Sequence, residues 1–503
     1  MKQTNKKNKK NKKGGKVIAS GGFGCVFYPA IKCKNNTTRK QNSISKLMTT
    51  KYADSEYNEI IKIQQQLNGI PNYEKYFLIY DIDKPCQPDK LTPNDLLKFK
   101  EKCSALPKDG ITYENINNSL DKLRILNVPY GGLPVDDYIN ENGSYLNLYN
   151  LNISLMNLFK NGIVPMNDRY VYHCDIKDSN ILADNSSENL ETRLIDWGLS
   201  TTYNPYNNDP FPNVWKNRTL QYNVPFSIII FTDIFINMYN NYLQDNVFNN
   251  ANSGTKIDKN GKLVFLDDNA TDDLFEFLLD YIYIWLEKRG IGHYKLINKI
   301  VSIIIDENVN EYADEKKAIK DSKSNTYTIV GDTNTIQFMC HYIIEILVNY
   351  TYINQDNTIN LTKYLDNVFI YNLDKWGFVS TYLPLLEIFH DNFNSLDSVE
   401  LQMMHQIKEL FVFLYSPSAT PIKKEEILTR LNNLNNLFKI EIKNMSNNKR
   451  DTTPFLKSIN MSKGITGKTF AAKSEQKTKK TNSNQNTKKI VNKINKIKYI
   501  YIL

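Results

Sequence analysis

Residues 172–182 (YHCDIKDSNIL) carry the side chains of this chain that are best suited to chemistry. Asp175, Lys177 and Asn180 lie within six residues, and Asp196 follows sixteen residues after Asn180. A carboxylate can orient a hydroxyl group and accept its proton, which is the role we assign to Asp175. Asn180 and Asp196 offer the hard oxygen ligands that Mg²⁺ prefers, and Lys177 offers a cation beside a transferred phosphoryl group. The ordered set therefore predicts phosphoryl transfer.

A glycine cluster near the amino terminus predicts the element that would hold the phosphates. Gly21, Gly22 and Gly24 stand between two apolar stretches that predict short strands, with Ile18 before the cluster and Val26 after it. Glycines at such a turn let the backbone approach a phosphate closely and point its N–H groups at the oxygens. A plain β-hairpin turn has a similar composition, so the downstream residues must decide between the two interpretations. Because the downstream residues predict phosphoryl transfer, we expect Ile18, Gly21, Gly22, Gly24 and Val26 to line the nucleotide site.

The same end of the chain must supply a lysine for the phosphates and a glutamate that fixes its side chain. Lys32 and Lys46 compete for the first role. We choose Lys46 because a third strand would return it beneath the phosphates, whereas Lys32 lies on the strand that leaves the loop. Residues 55–67 have the apolar spacing of a helix. Within it we prefer Glu56 to Glu59 as the partner of Lys46, since Glu56 points the same way as the apolar stripe.

Apolar periodicity predicts further helices, which must position these groups. They cover residues 146–159, 272–286, 336–352 and 407–437, the last broken at 416–421. A polar segment with four prolines, 85–122, is expected as an insertion, and a larger insertion runs from about 226 to 363 with a polar stretch at 306–325. We interpret the apolar stripes of the larger insertion as packing within their own domain, and a docking platform for a partner is the alternative.

Charge is distributed unevenly along the 503 residues. Residues 1–16 carry a net charge of +8 and residues 441–503 carry +12, which leaves −11 for residues 17–440. Lysine-rich runs of this kind predict disordered tails. The alternative is that the tails attract an acidic partner or nucleic acid.

Cysteine usage and hydropathy indicate the environment. The six cysteines are scattered without a CxxC pair, which argues against a zinc site and against a secreted disulfide scaffold and makes a reducing compartment the default. No apolar run reaches the roughly 18 to 20 residues that span a bilayer, and the amino terminus is too polar for a secretory signal. We expect a soluble intracellular protein without membrane contact.

Taken together, these residues resemble the eukaryotic-type protein kinase superfamily. Residues 19–24 are similar to its glycine-rich loop, residues 173–180 to its catalytic loop, and residues 196–198 (DWG) to its metal-binding motif. Residues 126–132 resemble the hinge whose backbone meets the adenine. Residues 374–377 resemble the helix start whose aspartate braces the catalytic loop.

The resemblance implies a two-lobed α+β fold, with a β-rich N-lobe over residues 17–132 and a helical C-lobe over residues 133–440. It also implies ATP- and Mg²⁺-dependent transfer of the γ-phosphate to Ser or Thr hydroxyls of protein substrates, because Lys177 follows the serine/threonine pattern. Residues 222–227 look like the divergent kinases of giant nucleocytoplasmic DNA viruses, which implies a host cytoplasm, a viral factory or a virion. The alternatives are a catalytically weak pseudokinase scaffold and a binding protein tethered to nucleic acid by its basic tails.

Four positions depart from the family pattern. Ala19 replaces the first glycine of the loop, and Trp197 replaces the usual phenylalanine. Cys174 stands where an arginine would bind a phosphate on the activation segment, so we expect activity without phosphorylation of that segment. No Ala-Pro-Glu ends the activation segment, and residues 223–225 (NVP) are the candidate replacement.

Overall fold

The computed structural model describes residues 15–207, 209–250, 254–289, 293–305 and 333–447, which form a mixed α+β fold. The strands are β1 (Lys16–Ser20), β2 (Gly24–Tyr28), β3 (Ser43–Thr49), β4 (Leu123–Pro129), β5 (Leu133–Pro134), β6 (Val171–Tyr172), β7 (Ile181–Asp184), β8 (Glu191–Leu194), β9 (Thr201–Thr202), β10 (Thr255–Ile257), β11 (Leu263–Phe265), β12 (Tyr352–Ile353) and β13 (Ile359–Asn360). The helices are α1 (Thr50–Leu67), α2 (Phe99–Lys102), α3 (Ala105–Lys108), α4 (Val135–Asn142), α5 (Tyr145–Leu158), α6 (Val164–Asn167), α7 (Asp233–Leu243), α8 (Asp268–Arg289), α9 (Tyr294–Ile305), α10 (Thr333–Tyr350), α11 (Thr362–Tyr364), α12 (Ile370–Ser380), α13 (Leu383–Asp391), α14 (Ser398–Tyr415) and α15 (Lys424–Asn447).

The described residues fall into two compact units. The first unit contains residues up to 212 together with 380–384 and the described residues from 428 onward. The second unit contains the described parts of 213–379 and 385–427. The lobe boundary expected between residues 132 and 133 stays a prediction.

A four-stranded antiparallel sheet, in the order β1-β2-β3-β4, opens the first unit. Its side chains alternate between two faces, as a strand requires. Cys25, Phe27 and Leu47 are fully buried on one face. Val26 and Lys46, which pair across β2 and β3, are half-buried on the other face. The second face is therefore the one that is open to a ligand.

The predicted insertion, residues 85–122, covers the buried face of this sheet. Its apolar side chains share one core with the sheet; the inserted members are Leu91, Leu96, Phe99, Cys103, Ala105, Leu106, Ile111 and Ile116. Two disulfides fasten it, Cys25–Cys103 and Cys33–Cys86. The expectation that the cysteines stay reduced is wrong for these four, because the fold brings together partners that lie 78 and 53 residues apart.

Asp95 joins the insertion to the rest of the first unit. Its carboxylate is 1% exposed and accepts a bidentate pair of hydrogen bonds from Arg39, at 2.8 and 3.1 Å. Thr92 donates through its hydroxyl and its backbone N–H, and the backbone N–H of Gly15 donates at 2.8 Å. The charge is thus desolvated but fully supplied with donors, which is the condition under which a buried carboxylate is stable.

We expect Asp95→Asn to lower the free energy of unfolding by roughly 3–5 kcal/mol, because it leaves Arg39 without its counter-charge. Burial alone raises the pKa of Asp95, but the hydrogen bonds from Arg39 and Thr92 outweigh it and hold the pKa below its ordinary value. The stabilisation is therefore complete above the unfolded pKa of about 3.9 and is lost as the pH falls through the lower folded pKa. Urea titrations at several pH values measure both effects. Asp109→Asn, at an exposed site in the same insertion, is the control, and an equal loss there would contradict the assignment.

The helical part of the first unit confirms the helix predicted at 146–159, which is α5 followed by a π-helical turn at Phe159–Ile163. Buried Asn152 connects α5 to α15. Its side-chain amide donates to the Leu431 carbonyl oxygen and to Asn435 Oδ1, and its Oδ1 accepts from the Tyr382 hydroxyl. These bonds explain why α15 belongs to this unit although it lies nearly 300 residues away in sequence.

The second unit is mainly helical. The helices predicted at 272–286 and 336–352 are confirmed as α8 and α10, and their apolar stripes are buried. Phe226, Trp376 and Tyr415 form an aromatic cluster with ring centroids about 5 Å apart. Asp374 is buried inside α12, and the continuous helical segment that contains it begins at Thr362, so its prediction as a helix start is wrong by about three turns. The segment 306–325 lies outside the described residues.

The limits of the basic tails need small corrections. Lys16 begins β1, and residues 441–447 continue α15, so these residues are not disordered as expected. The remainder of both tails lies outside the described residues. None of the described helices is both long and apolar enough to cross a membrane.

Candidate active site

Lys46 lies at the centre of the candidate site. It stands in the middle of β3, where its neighbours across the sheet are Val26 on β2 and Leu126 on β4. Its ammonium group donates to both carboxylate oxygens of Glu56 at 2.7 Å and lies 3.8 Å from Asp196 Oδ1. The side chain therefore connects the sheet to α1 and to the segment after β8.

The local sequence explains why Glu56 is the partner. Helix α1 begins directly after β3, so its first two turns pass beside the strand that carries Lys46. Glu56 is partly buried, whereas the rival Glu59 is exposed. The rival lysine, Lys32, pairs instead with Asp89 of the insertion at 2.9 Å, and both side chains are more than a third exposed.

The charge state of Lys46 follows from its two carboxylate neighbours. Burial lowers the pKa of its ammonium group, but Glu56 and Asp196 more than offset this and hold the pKa above its ordinary value. Lys46 is therefore a cation at neutral pH. An ammonium that is aligned and charged in advance is what a site for a polyphosphate requires.

The glycine-rich turn lies over Lys46. The Gly21 N–H donates to the Gly24 carbonyl oxygen at 2.9 Å, which closes the turn between β1 and β2. A Cβ placed on Gly21 would lie 3.8 Å from Lys46 Cε, and one placed on Gly22 would meet nothing within 4 Å. At Gly24 a Cβ would lie 2.7 Å from the Leu47 carbonyl oxygen, so only glycine fits there. Ile18 and Val26, on the strands that flank the turn, are half-buried.

Phe23 at the tip of this turn is 54% exposed. Its ring stacks on Tyr52 of α1, with centroids 4.6 Å apart. The turn is thus in contact with the helix that carries Glu56.

The loop between β6 and β7 brings Asp175, Lys177 and Asn180 together. Lys177 Nζ and Asn180 Nδ2 each lie 2.9 Å from Asp175 Oδ2. Asn180 Nδ2 also donates to the Asp175 carbonyl oxygen at 2.8 Å. Asp175 is 7% exposed, so these contacts hold its carboxylate in one orientation.

His173 links this loop to the segment that contains Asp196. The backbone N–H of Asp175 donates to His173 Nδ1, which leaves the proton on Nε2 to donate to the Ile195 carbonyl oxygen at 2.9 Å. The Ile195 N–H in turn donates to the Asn180 carbonyl oxygen at 3.0 Å. Asp196 therefore follows directly on a residue that is bonded to both ends of the loop.

Asn180 and Asp196 fit a magnesium ion in their chemistry. The amide N–H group of Asn180 is used on Asp175, so its amide oxygen is the atom that remains for a cation. Asp196 has a positive φ of 64° and a side chain that is 46% exposed. No group of three metal-binding side chains gathers in the described parts of the chain. One carboxylate and one amide oxygen nevertheless suit Mg²⁺, which usually keeps water and substrate phosphates among its ligands.

Trp197 and Cys174, which stand beside the candidate site residues in sequence, are both buried. The Trp197 ring is buried and meets His173 and Phe77 edge-on, with centroids 4.8 and 5.6 Å away. Cys174 is buried and its thiol donates to the Tyr172 carbonyl oxygen. Trp197 and Cys174 are therefore both accommodated in the interior of the first unit.

The segment expected to meet the adenine, residues 126–132, begins in β4 and ends beside β7. Gly132 has a φ of 97°, and a Cβ there would collide with the Ala183 carbonyl oxygen. Glycine is required because the chain turns sharply against β7 before α4 begins.

All the predicted site residues lie in the first unit, and the structure brings most of them into bonded contact. Sequence reasoning missed Ser20, Ser104 and the disulfide partners of Cys25 and Cys33. Ser20 had one available signal, its place directly before the glycines. The comparison with known protein families finds no model that matches, and no curated protein is similar enough to count as a relative.

Proposed function

We propose that this chain is a serine/threonine protein kinase, which transfers the γ-phosphate of ATP to hydroxyl groups of protein substrates. The observation that carries the proposal is a pair of bonded side-chain groups that are linked through one backbone hydrogen bond. Lys46 lies between Glu56 and Asp196. A backbone hydrogen bond beside Asp196 joins this group to Asn180, and Asn180 is bonded to Asp175.

Asp175 is the residue that would receive the proton of the substrate hydroxyl. Lys177 and Asn180 orient its carboxylate through Oδ2, so the base needs no rearrangement before it acts. Lys177 also brings a positive charge to the side of the carboxylate where a transferred phosphoryl group would pass.

Lys46 is the residue that would hold the ATP phosphates, beneath the turn that Gly21, Gly22 and Gly24 form. Asn180 and Asp196 would hold Mg²⁺, which when bound neutralises phosphate charge. Ile18 and Val26 would contact the base or ribose from the open face of the sheet. Glu56 keeps the Lys46 side chain extended toward the turn.

The finer architecture is part of the same proposal: an N-lobe built on the four-stranded sheet and α1, and a helical C-lobe. So is the relationship to the divergent kinases of giant viruses. The intracellular location, activity without phosphorylation of the activation segment, and binding of acidic or nucleic-acid partners by the tails stay predictions.

Incubation of the purified chain with γ-labelled ATP, Mg²⁺ and generic protein substrates tests the proposal. We expect label on serine and threonine after acid hydrolysis of the substrates, and none when Mg²⁺ is chelated. Binding of ATP without transfer would instead identify a pseudokinase scaffold. Absence of both binding and transfer would refute the proposed function.

A further inference from the structure

Residues 97–105 of the insertion also contact β1 and β2. These two strands flank the glycine-rich turn and form its first and second stems. On the first stem, the Val17 N–H donates to the Leu97 carbonyl oxygen at 3.1 Å. Lys102 Nζ donates to the Ile18 carbonyl oxygen at 3.1 Å. The backbone just before the turn is therefore bonded to the insertion by both a donor and an acceptor.

Ser20, the last residue before the glycines, is also bonded to the insertion. Its hydroxyl oxygen accepts the backbone N–H groups of Ser104 and Ala105, each at 3.1 Å. The Ser104 hydroxyl also lies 3.2 Å from this oxygen, so the two acceptor lone pairs of Ser20 are fully supplied with donors from the insertion. Its own proton can still be donated within the turn, where the Gly24 carbonyl oxygen lies 3.4 Å away.

The second stem is attached covalently. Cys25 follows Gly24 directly, pairs with Ser20 across β1 and β2, and is bonded to Cys103. Both stems are therefore fastened to residues 103–105. Helix α2 packs on β1 and helix α3 packs on β2, with Phe99 and Leu106 buried beneath them.

We propose that residues 97–105 are a positioning element for the glycine-rich turn, acting through Ser20 and the Cys25–Cys103 disulfide to raise the affinity of the site for nucleotide. This inference rests on the proposed function. Glycines leave a turn with a large conformational freedom that a ligand must restrict on binding. When the stems are held before the ligand arrives, less of that freedom is lost at the moment of binding.

The chain supplies a matched control in its second disulfide. Cys33–Cys86 also fastens the insertion to the first unit, and it closes a loop of 53 residues against 78 for Cys25–Cys103. Loops of these lengths contribute similarly to stability. The Cys33–Cys86 bond attaches the connection after β2, however, and not a stem of the turn. Loss of either bond should destabilise the fold alike, but only one should alter the turn.

The test compares four variants with the wild type: Ser20→Ala, Ser20→Thr, the pair Cys25→Ser with Cys103→Ser, and the pair Cys33→Ser with Cys86→Ser. Calorimetry gives the Kd for Mg·ADP, and steady-state assays give KM for ATP and kcat. Amide hydrogen exchange reports on residues 17–26.

For Ser20→Ala and for the Cys25/Cys103 pair we expect Kd and KM to rise about 3- to 10-fold, more than kcat changes, with faster exchange in residues 17–26. The Cys33/Cys86 pair should leave Kd and exchange in the turn within about 2-fold of the wild type. Ser20→Thr, which keeps the hydroxyl, should retain the Kd and the slow exchange of the wild type. Unchanged exchange and Kd in Ser20→Ala and in the Cys25/Cys103 pair would overturn the inference, as would an equal rise in the Cys33/Cys86 pair.

A failure of the proposed function can be distinguished from a failure of this inference. In the first case the wild type would bind no Mg·ADP and transfer no phosphate. Hydrogen exchange would still decide whether residues 97–105 restrain the turn, because that measurement needs no nucleotide. Ser20→Ala keeps both disulfides and the whole core, so it remains a folded probe if a cysteine pair does not fold.

Discussion

Replacement of Asp175 by asparagine is expected to lower kcat by roughly 10²–10⁴-fold, while nucleotide affinity changes little. The substitution keeps the size of the side chain and its acceptor for Asn180, so the loop between β6 and β7 should hold its shape. What disappears is the basic oxygen that would receive the proton of the substrate hydroxyl. The loss should therefore fall on the transfer step, since Asp175 has no part in holding the nucleotide in this proposal.

The measurement is kcat and KM with a protein substrate, together with the Kd for Mg·ADP by calorimetry. Asp168→Asn is the matched control, because Asp168 is an exposed aspartate in the same unit, at the end of α6. It should retain kcat within about 2-fold, as surface substitutions usually do. If Asp175→Asn retained full kcat, the assignment of the base would be wrong. If it lost nucleotide affinity to the same degree, Asp175 would be acting on binding.

Lys46→Met is expected to lower kcat/KM by about 10²–10³-fold, because it removes a preorganised cation from the phosphate site. A second effect comes from the neighbours that remain. Without the ammonium group, Glu56 and Asp196 are two carboxylates that share one partly buried region. Their negative charges repel the phosphates of the nucleotide and so oppose its binding. We therefore expect the affinity for Mg·ATP to fall as well, which distinguishes Lys46→Met from Asp175→Asn.

Lys32→Met is the control for this variant. Lys32 forms an exposed pair with Asp89, which contributes little to stability because solvent screens it, and nothing to the phosphate site. Its activity should equal that of the wild type. Because Lys46→Met leaves Glu56 without its partner, the double variant Lys46→Met with Glu56→Gln provides a version without the unpaired charge. Full activity in Lys46→Met, or inactivity in Lys32→Met, would show that the phosphate-binding lysine is misassigned.

Several features could be predicted because they depend on neighbours in sequence. The helices α1, α5, α8 and α10 follow from apolar spacing, since a helix presents every third or fourth residue to one side. The position of Lys46 in the middle of the third strand follows from counting strands, because a lysine one hairpin further along returns to the sheet. The preference for Glu56 over Glu59 uses the same helical geometry, and the Lys46–Glu56 ion pair is present.

The ends of the helices were predicted less accurately than the helices themselves. A helix end is set by the hydrogen bonds of individual capping side chains, which apolar spacing does not report. Helix α14 begins at Ser398, nine residues before the predicted start. Its start is set by a capping box in which Asp397 and Glu400 satisfy each other's backbone N–H groups. Asp374 was misplaced because α11 and the π-helical turn Leu365–Phe369 lead into α12 without a break, so the helical segment begins well before it.

The residue types at the candidate site, and the order in which they occur, were determined by the sequence alone, because each group's chemistry belongs to its own side chain. Only the tertiary structure decided that the insertion lies against the sheet, that Cys25 meets Cys103, and that Ser20 is bonded to residues 104 and 105. These contacts join positions about 80 residues apart, and their partners are selected by the packing of a whole core. Such packing is a collective property of many side chains, which no local pattern in a single sequence encodes.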